Sequence, residues 1–288
     1  TSFNTKPTIL IQDKYDMEEA FKLLRNLKID LIPIVDQANM VVDYFTWSDM
    51  GGKVQPKKSL KNVPVVIMAG GKGTRLEPFT KVLPKPLIPI HDKPLIEHII
   101  ERFTQLGCLD FYLTINYKGK ILKAFIEELQ PSYKVHFIEE HEPLGTAGSL
   151  CFLDGEFKHS FFVTNCDIIV KANYASIYEF HQEGDYDITL VASSKEYVIP
   201  YGNCELNSDG SLANINEKPR YDFLINTGLY ILNPNVLPLI QKNKVYHITD
   251  LIKDAQKQGK KVGVFPIDDD AWIDVGQWSE YRQAVENL

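Results

Sequence analysis

An α/β architecture, with a mainly parallel sheet flanked by helices, follows from three features of this chain. From Val63 onward, strand-like and helix-like segments alternate. The first of these strands, VPVVIMA (63–69), is apolar almost throughout, as a central strand buried on both faces must be. A glycine-rich turn, GGKGTRL (70–76), follows it at once, at the end of the strand where such sheets bind ligands.

The remaining elements follow in order. DKPLIEHIIERFTQLG reads as a helix with Pro94 in its first turn, an apolar face of Ile96, Ile99, Ile100 and Phe103, and Gly107 at its stop. FYLTIN, YKVHFIE, SFFVTN and YDITLVA are further strands, with Asp167 at the end of SFFVTNCD. KGKILKAFIEEL and NYASIYEFHQEG are intervening helices, and GNCELNSDGSLANINE reads as a β-hairpin around a Ser-Asp-Gly turn. Upstream, residues 7 to 50 read as strand, helix, strand, strand, the helix presenting Met17, Ala20, Phe21, Leu24 and Leu27 on one face. GGKVQPKKSLKNVP (51–64) reads as a linker, so the domains are expected at 1–60 and 61–288.

Composition narrows the function. A net charge of −7 argues against a general nucleic-acid binder, so any site for a polyanion must gather its cations locally. Residues 72 to 93 do so, with Lys72, Arg75, Lys81, Lys85 and Lys93 against only Glu77 and Asp92. Cys108, Cys151, Cys166 and Cys204 show no C-x-x-C spacing, which favours reduced thiols over staples or zinc. No apolar run reaches the roughly 18 residues of a membrane helix, and no signal peptide is recognisable, so a cytoplasmic protein is expected.

The glycine turn is neither of two common phosphate motifs. A P-loop requires Ser or Thr after its lysine, whereas Gly73 follows Lys72; a dinucleotide fingerprint requires a third glycine where Leu76 stands. What remains is AGGKGTRL with PKP after it, then EPLGTAGSL (142–150), VTNCD (163–167), INEKP (215–219), INTGLY (225–230) and WIDVGQW (272–278). This ordered series resembles the sugar-1-phosphate nucleotidyltransferases, or NDP-sugar pyrophosphorylases, over nearly all of residues 63 to 288.

The resemblance implies a Rossmann-like nucleotidyltransferase fold and a reaction in which a sugar 1-phosphate attacks the α-phosphate of a nucleoside triphosphate. Ala69, Gly70, Gly71, Gly73 and Thr74 would hold the triphosphate through backbone N–H groups. Arg75 would clamp phosphate oxygens in a fork, and Lys85 would place a point charge beside them. Asp167 and Asp274 would hold Mg²⁺, although the family usually has glycine where Cys166 precedes the first aspartate. Glu142, Gly145 and Thr146 would wall the base. Glu217 and Lys218 would meet the sugar and its phosphate, with Asn226 and Thr227 completing the hexose pocket. The form EPLGTAG is similar to that of guanylyltransferases and favours GTP, leaving the sugar open between mannose-type, heptose and amino-sugar phosphates, with bacterial surface or flagellar glycans as a destination. A uridylyl- or thymidylyltransferase, or a regulatory homologue that binds nucleotide without reacting, remain alternatives; a glycosyltransferase is opposed by the intact glycine turn. Elsewhere, His98 with Glu101 lacks a third ligand, and Asp268–Asp270 reads as an acidic turn.

Residues 4 to 50 resemble one CBS repeat, through LIPIVD and DYFTWSDM. That resemblance implies an adenine-nucleotide effector with Asp49 on its ribose, and a pairing partner from a preceding repeat or another subunit. A plain strand–helix–strand adaptor is the alternative, and a homo-oligomer is compatible with both.

Overall fold

The computed structural model describes residues 8–16, 19–20, 23–24, 27, 29, 31–46 and 59–287. The N-terminal part forms a small sheet of β1 (Leu10–Ile11), β2 (Leu31–Val35) and β3 (Val41–Thr46), with β2 parallel to β1 and antiparallel to β3. Ala20 and Leu24, both helical, close a separate small core with Leu10, Ile32, Ile34 and Phe45. Leu27 was expected on the same apolar face, yet it is exposed, one helical turn past the end of that core. Met17, Phe21 and Asp49 lie outside the described residues, and so does most of the expected linker.

The larger part is a seven-stranded sheet between two layers of helices. Its strands are β4 (Val65–Met68), β7 (Asp110–Ile115), β8 (Lys134–Glu139), β9 (Phe161–Asn165), β11 (Ile188–Val198), β14 (Arg220–Leu232) and β15 (Val262–Ile267), in the spatial order β15-β11-β14-β9-β4-β7-β8. Between them, β5 (Pro89–Ile90) pairs with β6 (Lys93–Pro94), β10 (Ile168–Val170) with β16 (Trp272–Asp274), and β12 (Asn203–Leu206) with β13 (Leu212–Asn216). β14 alone runs against its neighbours β9 and β11; the other contacts in the large sheet are parallel.

β4 shows why the sheet is built this way. Val65 and Ile67 face one core and Val66 and Met68 the other, so both faces of the strand are buried. The first core is closed by α1 (Leu95–Thr104), through Leu95, Ile96, Ile99, Ile100 and Phe103. It is completed by α2 (Gly119–Leu129), α3 (Tyr174–Glu183) and Ala284 of α5 (Trp278–Asn287). The second is closed by α4 (Ile248–Lys257) with Leu150, Leu153 and Val236. Leu60 and Val63 already pack into the first core, and Leu60 N–H donates to Leu106 O at 2.7 Å. Pro94 caps α1 rather than entering its first turn: its ψ of 152 is extended, whereas the helix begins at Leu95. Asn173 caps α3 by accepting from Ala175 and Ser176 N–H, a contact worth about 1 kcal/mol. The expected hairpin is present as β12 and β13, with Gly210 at φ +85 in its turn. Among the described residues, no helix is long and apolar enough to cross a membrane.

Chain order makes the site. After β4 the chain moves outward through β7 and β8, then returns to lay β9 on the other flank of β4. Loops at the carboxyl ends of β4 and β9 therefore diverge and leave a crevice between them.

Candidate active site

A pocket of about 280 Å³ occupies that crevice. Its walls come from four places. Gly70, Gly71 and Gly73 follow β4, Lys85 comes from the Pro-Lys-Pro turn, Glu140, Pro143, Gly145 and Thr146 follow β8, and Asn165 ends β9 with Cys166 and Asp167 in the turn after it.

The glycines have distinct reasons. Gly73 has φ +66, and a Cβ there would stand 2.9 Å from Thr80 Cγ2 and 3.1 Å from Lys85 Cβ. The Thr80 hydroxyl locks the same turn by donating to Gly73 O at 3.0 Å. Gly71 has only open space where a side chain would be, so its backbone is bared to the pocket. Gly145 combines φ +82 with Tyr246 O only 2.7 Å from the position of a Cβ. Beneath the turn, Ala69 N–H donates to Thr114.

Lys85 is held by a three-sided brace. Pro84 and Pro86 flank it, and its ammonium pairs with Asp167. Burial works against the ammonium, yet Asp167, joined by Cys166 and Asp274, outweighs burial and lifts Lys85 above the ordinary lysine value. Behind this stretch stands α5. The Trp278 indole donates to Glu77 O at 2.9 Å, the Tyr281 hydroxyl donates to Pro89 O at 2.9 Å, and both rings pack on Phe79.

Asp167 does not end a strand, as the sequence led us to expect. β9 stops at Asn165, and Asp167 occupies the turn into β10, which leaves the main sheet to pair with β16. That small ladder explains the meeting of the two acids. Ile168 lies opposite Asp274, and Val275 N–H donates to Asp167 O at 2.7 Å. Both carboxylates close on Gly276, whose Cβ would be 2.8 Å from Asp274 Oδ1 and 3.3 Å from Asp167 Oδ2. Burial, then the Asp167 charge, push Asp274 above the usual carboxylate value, while the Gly276 N–H and Lys85 pull the other way.

No cluster of three or more metal-ligating side chains occurs among the described residues. Two converging carboxylates suit Mg²⁺ all the same, since that ion is commonly held by one or two carboxylates and completed by substrate phosphates and water. The residue types, their mutual repulsion and the small glycine between them fit the ion.

Other expected site residues lie outside the walls of this pocket. Thr74 and Arg75 are exposed in the single turn beyond it, and no carboxylate among the described residues pairs with Arg75. Glu142 is exposed, and Glu140 stands in the wall instead. Glu217 and Lys218 sit at the exposed outer end of β13, where Glu217 Oε2 lies near Gly202. Asn226 donates to the Tyr230 hydroxyl at 2.7 Å. Thr227 is buried, and its hydroxyl donates to Val191 O at 2.8 Å, filling an irregular stretch where Thr227–Leu229 face Val191 alone. Gly228, in the middle of that stretch, makes room for Asn165, whose amide nitrogen would lie 2.6 Å from a Cβ there.

Sequence reasoning missed Glu140, Thr114 and Asn165 as wall residues. Position was the available signal for Glu140 and Asn165: the first directly follows β8 and the second ends β9, both at carboxyl ends of parallel strands. The Asp268–Asp270 stretch is an acidic turn as expected, and His98 spends its ring on Ile90 O at 3.0 Å.

The nucleotidyl transferase family model matches residues 64–288. The chain belongs to that family. Mannose-1-phosphate guanyltransferase of Schizosaccharomyces pombe is 35% identical over 226 residues, 75% of this chain and 61% of that protein. The enzyme of the same name from Pichia angusta is 35% identical over 232 residues, 76% of this chain and 62% of its own. The chain thus spans about three-fifths of the length of these nucleotidyl transferases. Among solved structures, HddC of Yersinia pseudotuberculosis superposes with a TM-score of 0.61 at 28% identity, over 78% of this chain and 98% of that one. The same protein complexed with GMP-PN superposes equally well, at 27% identity.

Proposed function

We propose that this nucleotidyl transferase is a sugar-1-phosphate guanylyltransferase. A phosphate oxygen of the sugar 1-phosphate attacks the α-phosphorus of GTP, the bond to the β-phosphate oxygen breaks, and GDP-sugar and pyrophosphate leave. The reading is carried by the ion pair of Lys85 and Asp167 in the wall of a glycine-lined pocket, with Asp274 brought beside Asp167 across Gly276. It is supported by relatives named as mannose-1-phosphate guanyltransferases and by a structural neighbour complexed with a guanine nucleotide.

Two polyanions must meet in this reaction, so charge neutralisation and alignment dominate the barrier. The backbone of Gly70–Gly73 and the side chain of Thr74 receive the triphosphate. Arg75 is exposed and offers its fork to the β- and γ-phosphates as they depart. Lys85, already charged through its partner Asp167, stands beside the reacting phosphates. Asp167 and Asp274 would hold Mg²⁺, which supplies Lewis-acid charge to phosphate oxygens. Glu217, Lys218 and Asn226 receive the sugar and its phosphate from the outer hairpin side. The four cysteines are free thiols, which agrees with a cytoplasmic site of action.

The test is pyrophosphate release from a panel of nucleoside triphosphates against a panel of sugar 1-phosphates. Release is expected only with both substrates present, and most rapidly with GTP. Failure of every pair to release pyrophosphate would sink the reading.

A further inference from the structure

The segment that carries the cations is too irregular to hold its own shape. From Thr74 to Ile88 its longest regular run is the four residues Phe79–Val82, with single turns at Thr74–Leu76 and Lys85–Leu87. Several of its backbone carbonyls are taken instead by side chains from elsewhere. The Trp278 indole donates to Glu77 O at 2.9 Å and the Tyr281 hydroxyl to Pro89 O at 2.9 Å, so α5 grips the chain on either side of Lys85. The Phe79 ring completes a triangle with theirs, its centroid 5.0 Å from Trp278 and 5.8 Å from Tyr281. Just after β7, the Tyr117 hydroxyl donates to Thr80 O at 3.2 Å, and the Lys118 ammonium donates to Lys81 O. The helix is also tied to the acids. Trp278 lies four positions after Asp274, and between them Val275 N–H donates to Asp167 O at 2.7 Å. Cations and carboxylates thus hang from one end of α5.

We propose that Trp278 and Tyr281 are positioning residues for the transfer, fixing the backbone around Lys85 so that its ammonium stays at the reacting phosphates. This rests on the guanylyltransferase reading and adds what keeps its cation in place. Without substrate, Lys85 is tethered by its pair with Asp167. Phosphate oxygens compete for the same ammonium donors, so that tether weakens as substrates enter. The grip of α5 does not. Its acceptors are neutral carbonyls, and neither Trp278 nor Tyr281 lines the pocket, so phosphate has no means of displacing them. A lysine carries its charge on a long flexible stem, and stabilisation of a transition state by charge requires the cation to be in place beforehand. A shift of about 1 Å in such a group can cost about 10² in rate.

The test compares wild type with Tyr281→Phe, Trp278→Phe and the double variant, each made alone and together with Lys85→Met. Both substitutions remove one donor and keep an aromatic ring against Phe79. Calorimetric titration with GTP counts the binding-competent chains, and pyrophosphate release then gives kcat and KM per competent chain. The double variant is expected to lose about tenfold or more in kcat, with KM for GTP within about twofold of wild type. In the Lys85→Met background the same two substitutions are expected to change kcat by less than about twofold, because the group they position is gone. Tyr281→Phe alone deletes one oxygen and is expected to repeat the pattern at about threefold, which keeps the comparison intact if the indole substitution prevents folding. An equal fall in both backgrounds means general packing and overturns the inference. So does a wild-type kcat in the variants, which leaves the transfer reading standing. Absence of release from wild type with every substrate pair removes the transfer reading, and the positioning role with it.

Discussion

Lys85 and Asp167, 82 positions apart in the chain, form an ion pair at the wall of the glycine-lined pocket, with Asp274 held beside them. The pair is enclosed, its side chains 13% and 24% exposed, so neither charge is freely screened by water. Lys85→Met is expected to cut transfer by a factor of about 10² to 10³, the usual cost of removing one electrostatic contact to a transition state. Steady-state pyrophosphate release checks this; a variant within a few-fold of wild type would exclude Lys85 from the machinery.

Arg75 faces solvent, so its removal leaves the fold untouched. Arg75→Ala should lose about 10² or more in turnover at an unchanged melting temperature, and Arg75→Lys should recover little, because a point charge cannot bridge two phosphate oxygens. Full activity in either variant contradicts the clamp.

Asp274 yields a prediction of opposite sign for stability and activity. Burial, then Asp167, raise its folded-state value, so the folded protein holds that proton more readily than the unfolded chain does. Stability attributable to this group therefore falls as pH rises from the ordinary carboxylate value through the raised one, and at neutral pH the ionised form is a burden. Asp274→Asn is expected to melt above wild type near pH 7 while transfer falls by about 10² or more. A melting point at or below that of wild type would contradict the argument.

Two glycines of one turn should respond differently. Gly73→Ala forces a methyl into a left-handed conformation against Thr80 and Lys85, and should cost about 1 to 3 kcal/mol in denaturant unfolding. Gly71→Ala meets nothing in the protein, so unfolding should be unchanged, while the methyl enters the pocket and raises KM for the nucleotide. Equal destabilisation by both would undo the distinction.

His181 is buried in the core with its ring nitrogens on Thr189 at 2.8 Å and Ser160 at 3.0 Å. Burial pushes it down to about 4, so the unfolded chain binds the proton first as pH falls. Its contribution to stability is complete above about 6.5 and is lost progressively towards about 4. Urea midpoints measured across that window should decline in wild type, and decline less in His181→Gln.

The large sheet was legible because burial on both faces writes continuous apolar runs, as in Val65–Met68, and the flanking helices write a one-sided period, as in Ile96, Ile99 and Ile100. The glycine turn and the loop after β8 were legible because Gly73 and Gly145 need backbone angles that few other residues tolerate. Asp167 and Asp274 were named as partners by family likeness. The ladder that joins them, three residues on each side, is too short to leave a pattern. Glu140 was hidden among Glu139 and Glu142, and only the end of β8 separates the buried acid from the two exposed ones. Thr227 was named for the sugar pocket by family likeness, but an irregular register turns its hydroxyl into the sheet. The CBS likeness of residues 4 to 50 and the domain division remain proposals. β1 to β3 with their helix are compatible with a regulatory or assembly role, and Asp49 lies outside the described residues.

β14 pairs with β9 only over Leu229–Leu232, and its first half, from Arg220 to Asn226, reaches outward paired with β11 alone. On the proposed reading, donor and acceptor recognition would sit on different mechanical supports: the base beside the rigid heart of the sheet, the sugar beside a two-stranded boom. Lengthening or exchanging the boom should retune which sugar is accepted while the grip on the base stays as it was.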